Sequence, residues 1–348
     1  VITLTDDVVL AAGKEINKAG MTQVTKIDLG GHKLSRAGGF VLDIYGDVTI
    51  TNGTIEMTGA QSGSAIWINN GAKVTIDNSV KVSATGSVNN KTSFAIAFDS
   101  SCDDAALTFN GAIAGENGVT INGNITKNTN KISVNGTIDV TELALYLAGN
   151  GITDINNGAS LKGDVGVEIR AGVLNINGGT ITSTGANYNV TSNPGGPTTT
   201  GAALAVAEHT TNQGVTVNIN GGTITNVAGG KAISVDNPEE KEEAKGANVS
   251  VNGGTISGDV KVDESVKSTV EGKEPLTVSG DYNMTKDSEG NYTIAKKVGG
   301  YYYYQPTTDT KADDAKGSPK TFDAGIGIYA VTAVLSVTGM AWTAKKRH

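Results

Sequence analysis

Cysteine is almost missing from this chain of 348 residues. The single Cys102 excludes an internal disulfide framework and any structural zinc site built from several thiolates. Aromatic residues make up 5% and charged residues 18% of the chain, so the interior has to be built from Val, Ile, Leu and Ala. Basic residues are also scarce: 27 Lys and Arg against 35 Asp and Glu leave a formal net charge of −8. They are dispersed, which excludes nucleic acid as a partner, because phosphate binding needs clustered cations. No Gly-Gly-x-Gly-x-Asp calcium repeat occurs, nor a Gly-x-Gly-x-x-Gly phosphate loop in a helical context. No cofactor and no metal are expected. Val1 has neither an initiator Met nor a signal peptide ahead of it, and the expectation is a chain cut after a signal, or a fragment.

Glycine is abundant, at 47 residues. Much of it belongs to a recurring phrase in which a short alternating strand is followed by Asn-Gly or Asn-Gly-Gly and then Thr-Ile. It appears at Val48–Ile55, Ile132–Ile138, Leu174–Ile181, Val217–Ile224 and Val249–Ile256, with degenerate copies at Ile27–Leu34, Val74–Asp77, Leu107–Gly111 and Val119–Gly123. Alternation marks a strand with one buried face, and Asn-Gly tolerates the left-handed backbone of a tight turn. One such coil cannot bury its own apolar face, whereas stacked coils give a continuous core and a partner for every strand.

The intervals Gly53 to Gly136, Gly136 to Gly179, Gly179 to Gly222 and Leu29 to Ile50 fit a period near 21, read as four, two, two and one coils. The predicted fold is therefore all-β: a right-handed parallel β-helix of roughly 21-residue coils over residues 1–297. Asn-Gly between apolar runs is also a hairpin signal, and an antiparallel sandwich or barrel is the competing fold. Asn122, Asn135, Asn177, Asn220 and Asn252 suit either an internal amide ladder or plain turn chemistry. The closer spacings around Gly111, Gly123 and Gly136 imply short or shared coils. Insertions are expected at 186–203 and 236–247, where binding faces often arise, the acidic run from Glu239 reading as a solvated loop. Tyr282–Thr285 and Asn291–Ile294 read as a hairpin closing one end.

A polar Tyr/Thr/Asp linker spans 298–317, and its Tyr301–Tyr304 run reads as a last strand or a spacer. Residues 324–344, from Ala324 through Trp342 to Ala344, carry no charge and are followed by Lys345, Lys346 and Arg347. That length and that basic flank predict one hydrophobic membrane helix, with the preceding chain outside the cell. Together with Ser318-Pro319-Lys320-Thr321-Phe322, this segment resembles the cell-wall sorting signal of Gram-positive surface proteins over about thirty residues. The family has Leu or Asn before Pro and Gly after Thr; Ser318 and Phe322 stand there in this chain. The resemblance implies a sortase as partner, cleavage after Thr321, joining of Thr321 to peptidoglycan and a transient membrane span. The body resembles the pectate-lyase-like superfamily of surface β-helices, notably at Ile27-Asp28-Leu29-Gly30-Gly31-His32-Lys33-Leu34, a likeness of fold and not of activity.

Polysaccharide lyases and hydrolases on such a body use outward carboxylates. Asp77 and Asp99, about one period apart and expected on neighbouring coils near Asp103 and Asp104, are the catalytic candidates; their alternative role is as solvated turn carboxylates. His32 reads as structural and Cys102 as an inert thiol with acidic neighbours. The reading is a non-catalytic adhesin or display protein for a host or dietary glycan or protein, with a wall-anchored polysaccharide lyase or glycoside hydrolase as its rival. Mass spectrometry of muralytic wall digests is expected to find a peptide ending at Thr321 joined to a wall fragment. Intact Lys345–His348 on most copies would rule the sorting signal out.

Overall fold

The computed structural model describes residues 1–86, 93–209, 211, 213–240 and 246–297, all within a unit spanning Val1–Tyr303. The linker with Tyr301–Tyr304, the motif Ser318–Phe322 and the apolar span 324–344 lie outside these residues. Among the described residues every element is a strand, and no helix is long and apolar enough to cross a membrane.

The alternating phrase forms the strand that its pattern demands. In Val215–Ile219 and Ala247–Val251, side chains alternate between buried and half-buried. Eleven such strands, from Ile2–Thr3 to Leu276–Val278, make one sheet in which neighbours pair in parallel. Each of these strands starts a rung, numbered 1 to 11. The chain then turns at the Asn or Asn-Gly corner and runs through a second strand, such as Thr180–Ser183, and a third, such as Val165–Ile169. These stack in two further parallel ladders. On rungs 2 and 3 the second and third strands fuse into Lys33–Ile44 and Gly53–Ile68, with a register break between Ala37 and Gly39. Long parallel sheets of this kind are compatible with a β-solenoid.

Register keeps like on like inside. Ile50, Ile76, Phe109, Val134, Ile155, Ile176, Ile219 and Val251 follow one another from rung to rung. All eight are fully buried. The residue after each inward aliphatic stands at the corner, outside the core. There Asn135 donates to Asn110, Asn156 to Asn135, Asn177 to Asn156, Asn220 to Asn177 and Asn252 to Asn220, at 2.9 to 3.4 Å. This amide ladder is external and half-exposed to exposed, because the core on the other side of the turn is apolar and offers an amide no partner. Asn122 is not a member: it follows a third-ladder strand, where its carboxamide accepts from the Asn124 amide. Beyond the ladder the double glycines complete the turn. Gly222 has φ +78°, and a Cβ there would lie 2.6 Å from the Gly178 carbonyl oxygen of the rung below.

The coil length differs from a fixed 21. Ladder partners are 21 residues apart from Asn135 to Asn156 and from Asn156 to Asn177, but 25, 43 and 32 elsewhere. Gly53 to Gly136 is three rungs and not four, and Gly179 to Gly222 is one rung and not two. The excess is looped outside, because pairing constrains strands and leaves corners free. The close spacing of Gly111, Gly123 and Gly136 reflects two different corners and not short coils. At the far end Tyr282–Lys286 and Asn291–Lys296 form the expected hairpin, and the latter strand pairs antiparallel with Val260–Val262, covering that edge.

A half-exposed amide bond contributes about 1 kcal/mol, against about 2–5 kcal/mol for truncating a core Ile. The ladder therefore sets register more than bulk stability. Asn135→Ala, which loses two of these bonds, is expected to cost about 1–2 kcal/mol in urea unfolding. No measurable loss would mean that the corner amides contribute nothing.

Candidate functional site

The four aspartates singled out by spacing are not brought together as a stack. Asp77 and Asp99 follow two strands of the same rung, Lys73–Ile76 and Phe94–Phe98, and so lie at different corners. Each closes its own turn: Asp77 accepts from the amide and hydroxyl of Ser79, and Asp99 from those of Ser101. The Ser79 hydrogen bonds hold the Asp77 carboxyl below its usual range. Asp103 pairs with Lys127 and Thr129, Lys127 chiefly lowering its pKa. Asp104 takes a left-handed φ of 54° and donates its amide to Thr129. Cys102, between them, is buried with its thiol 2.9 Å from the Ile68 carbonyl. Burial, and secondarily Asp99, pushes its pKa up to about 12. His32 lies 3.5 Å from Asp7 at the edge of the body.

A different place in the fold forms a concavity. Where the second ladder turns into the third, rungs 5, 6 and 7 place Glu116, Glu142 and Asp164 at one corner. The Glu142 amide donates to the Glu116 carbonyl at 2.9 Å, and the Val165 amide to the Glu142 carbonyl at 3.0 Å. On rungs 5, 6 and 7 this turn takes a residue or two; on rung 8 it is replaced by the insertion 184–201, whose short antiparallel pair Asn189–Val190 and Thr199–Thr200 stands up as a wall. Between corner and wall lies a groove of about 590 Å³, with Asn117, Thr141, Leu143, Val165, Thr191 and Pro197–Thr200 completing the lining. Two of the carboxylates are fixed: Glu116 accepts from the Gly86 amide at 2.8 Å and Asp164 from the Gly201 amide at 3.2 Å. Glu142 is exposed.

The wall is held from beneath. Outward residues of the third ladder, Tyr146, Glu168 and Ala205, stack in one column, and Phe94, Leu143, Tyr146, Val165 and Ala202 form a small apolar cluster with Tyr188 of the insertion packed on it. Arg170 is fully buried there. Its guanidinium donates to the carbonyls of Glu208, Asn193 and Gly196 at 2.6 to 3.1 Å and pairs with Glu239 at 3.2 Å. Glu168, also fully buried, accepts from the Thr198 amide and hydroxyl, both at 2.9 Å, and from the Thr199 amide. Burial drives its pKa up against those bonds. Glu239 accepts from Ser192 and Asn193 as well, so the acidic run expected as a solvated loop contributes a structural anchor. Gly123 makes room for the His209 ring, which a Cβ would meet at 2.6 Å.

Spacing alone did not single out Glu116, Glu142, Asp164, Glu168 or Arg170. The first three each follow a second-ladder strand, and only the rung alignment places them in one row. Glu168 and Arg170 interrupt an apolar run at every second position, which is a signal for a buried outer face. Among the described residues no group of three or more His, Cys, Asp or Glu could hold a metal ion.

Removing a buried guanidinium leaves its partners uncompensated, at about 3–5 kcal/mol. Arg170→Met is therefore expected to free the wall, so that a broad-specificity protease cleaves within 186–201 in the variant and not in the parent chain. Equal resistance would show that the apolar cluster alone seats the wall.

Comparison with known proteins returns no match: no family model fits the chain, and no curated protein or solved structure is significantly similar to it.

Proposed function

We propose that this chain is a bacterial cell-surface adhesin or display protein, anchored to peptidoglycan by a sortase that acts at Thr321. Its body is a right-handed parallel β-helix that presents the corner groove outward and carries out no chemistry of its own. Right-handed winding is the expected sense, since crossovers between parallel strands follow it almost without exception. The sorting pattern Ser318–Phe322, the uncharged span 324–344 and Lys345–Arg347 support the anchoring, and with it an extracellular location on a Gram-positive cell.

The observation that carries the binding reading is the groove itself. Three carboxylates, the Asn117 amide and several threonines line a cleft of about 590 Å³ together with Leu143, Val165 and Pro197, and its wall is pinned by the buried Arg170 and Glu168. Carboxylate acceptors held on a rigid ladder suit the hydroxyl groups of a glycan, and preorganisation limits the entropy lost on binding.

One feature favours the rival reading of a polysaccharide hydrolase. Carboxylates on successive rungs repeat at about 4.8 Å, and glycosidic cleavage uses two carboxyls roughly 5–9.5 Å apart. A glycan array read for both binding and new reducing ends separates the two. The expected result is retained glycan without new reducing ends, with binding weakened about tenfold or more by Glu142→Gln. Reducing ends that disappear in Glu142→Gln would replace the adhesin with an enzyme, and no captured glycan at all would remove the glycan-binding reading.

A further inference from the structure

The wall and the neighbouring loop 237–240 sit on an unusual set of charges. Beneath the wall three carboxylates, Glu168, Glu208 and Asp236, are nine-tenths or more buried, and the carboxylate of Glu239 turns in beside them from the loop; among the described residues one buried guanidinium, Arg170, and the buried His209 lie with them. Arg170 is committed to Glu239 at 3.2 Å and to Glu168 at 4.0 Å. Asp236 stands elsewhere in the cluster: its Oδ1 accepts from the Tyr188 hydroxyl of the wall at 2.7 Å. That bond ties the wall directly to a strand of the body, Lys231–Asp236.

Like charges confined in a region of low dielectric repel, and each ionised carboxyl forfeits its hydration. A proton taken up by the cluster relieves both costs, but only while the wall covers it. We infer that the insertion 186–201 is a proton-linked clasp, seated on the body in mild acid and loosened as the pH rises towards neutrality. The walls of the groove at Thr191 and Pro197–Thr200 move with it. The inference rests on the buried charges and not on what the groove binds.

Asp236 is the group that sets the range. Facing it are Tyr188 from the wall, Asp263 and Lys261 from the next rung, and Ser234 on its own strand; Glu208, Asn237 and Lys267 share with it a small cavity of about 10 Å³. Burial raises its pKa from 3.8 to about 6, with Asp263 adding to the rise and Tyr188 and Lys261 opposing it. A folded-state value above the open-state one means that the seated form binds the proton more tightly. Its contribution is complete below the open-state value and is lost as the pH rises through about 6. Burial of Glu168 acts in the same direction.

The test is hydrogen exchange of the full chain at pH 5.0 and pH 7.5, read by mass spectrometry on peptides covering 186–201 and corrected for the intrinsic chemical rate. Opening of the wall is expected to be about tenfold greater at pH 7.5, from the two pKa values by proton linkage. Peptides from the ladder strand Val215–Ile219 should not change. Asp236→Asn should keep the wall protected at both pH values. Tyr188→Phe, which removes the bond favouring the ionised form, should steepen the dependence. Equal corrected opening at the two pH values in the parent chain would overturn the clasp, as would a pH-dependent loosening shared by the ladder peptides. Because the parent chain alone decides this, a variant that fails to fold does not leave the question open.

Discussion

Parallel backbone pairing from each rung to the next is the constraint on which the rest of this body depends. It satisfies the amides and carbonyls of the inner ladder strands along one direction, so the chain can be long without being thick. It also locks register. Once Ile176 sits over Ile155, Asn177 must sit over Asn156, and the corner amides have no freedom to choose other partners. An apolar column and an amide column thus arise from the same pairing, one on each side of the turn. The near-absence of large rings follows, since a narrow interior bounded by three ladders leaves little room for them.

Pairing constrains strands and not corners, and this difference is where the groove comes from. A corner can lengthen without disturbing the rungs above and below, because loop closure costs little more as length grows. Rung 8 uses that freedom for a wall, and the wall brings its own problem, a polar strand pair laid on an outer face. The solution is a second small core outside the ladder, with Phe94 and Tyr146 stacked at 6.1 Å between ring centres and Arg170 tying carbonyls of the insertion to that of Glu208. Buried ionic groups of this sort add little net stability, yet they specify one seating over others.

The strand-turn-strand phrase, its repetition and the closing hairpin are legible in the sequence because each is local. Alternation reports a buried face, and Asn-Gly reports a tight turn, without reference to anything distant. The number of rungs was not legible between Gly53 and Gly136 or between Gly179 and Gly222. A spacing of 43 residues is two plain coils in one place, Gly136 to Gly179, and one coil with an insertion in the next, Gly179 to Gly222. Asp77 and Asp99 were paired by the same false period. Asn122 looked like its ladder counterparts, since the phrase Val119-Thr120-Ile121-Asn122-Gly123 is the same, but it falls at another corner.

By itself, then, the sequence determined that the body is all-β, that its strands are amphipathic, and that asparagine and glycine turn it. These properties reside in short stretches, where side-chain period and turn chemistry act within a few residues of each other. Only the tertiary structure decided which coils neighbour which, that Glu116, Glu142 and Asp164 share a corner, and that Glu168 and Arg170 lie beneath a wall instead of in solvent. Such juxtapositions depend on the running total of every insertion before them. A register fixed by hydrogen bonds between rungs resolves that total, and spacing along the chain does not.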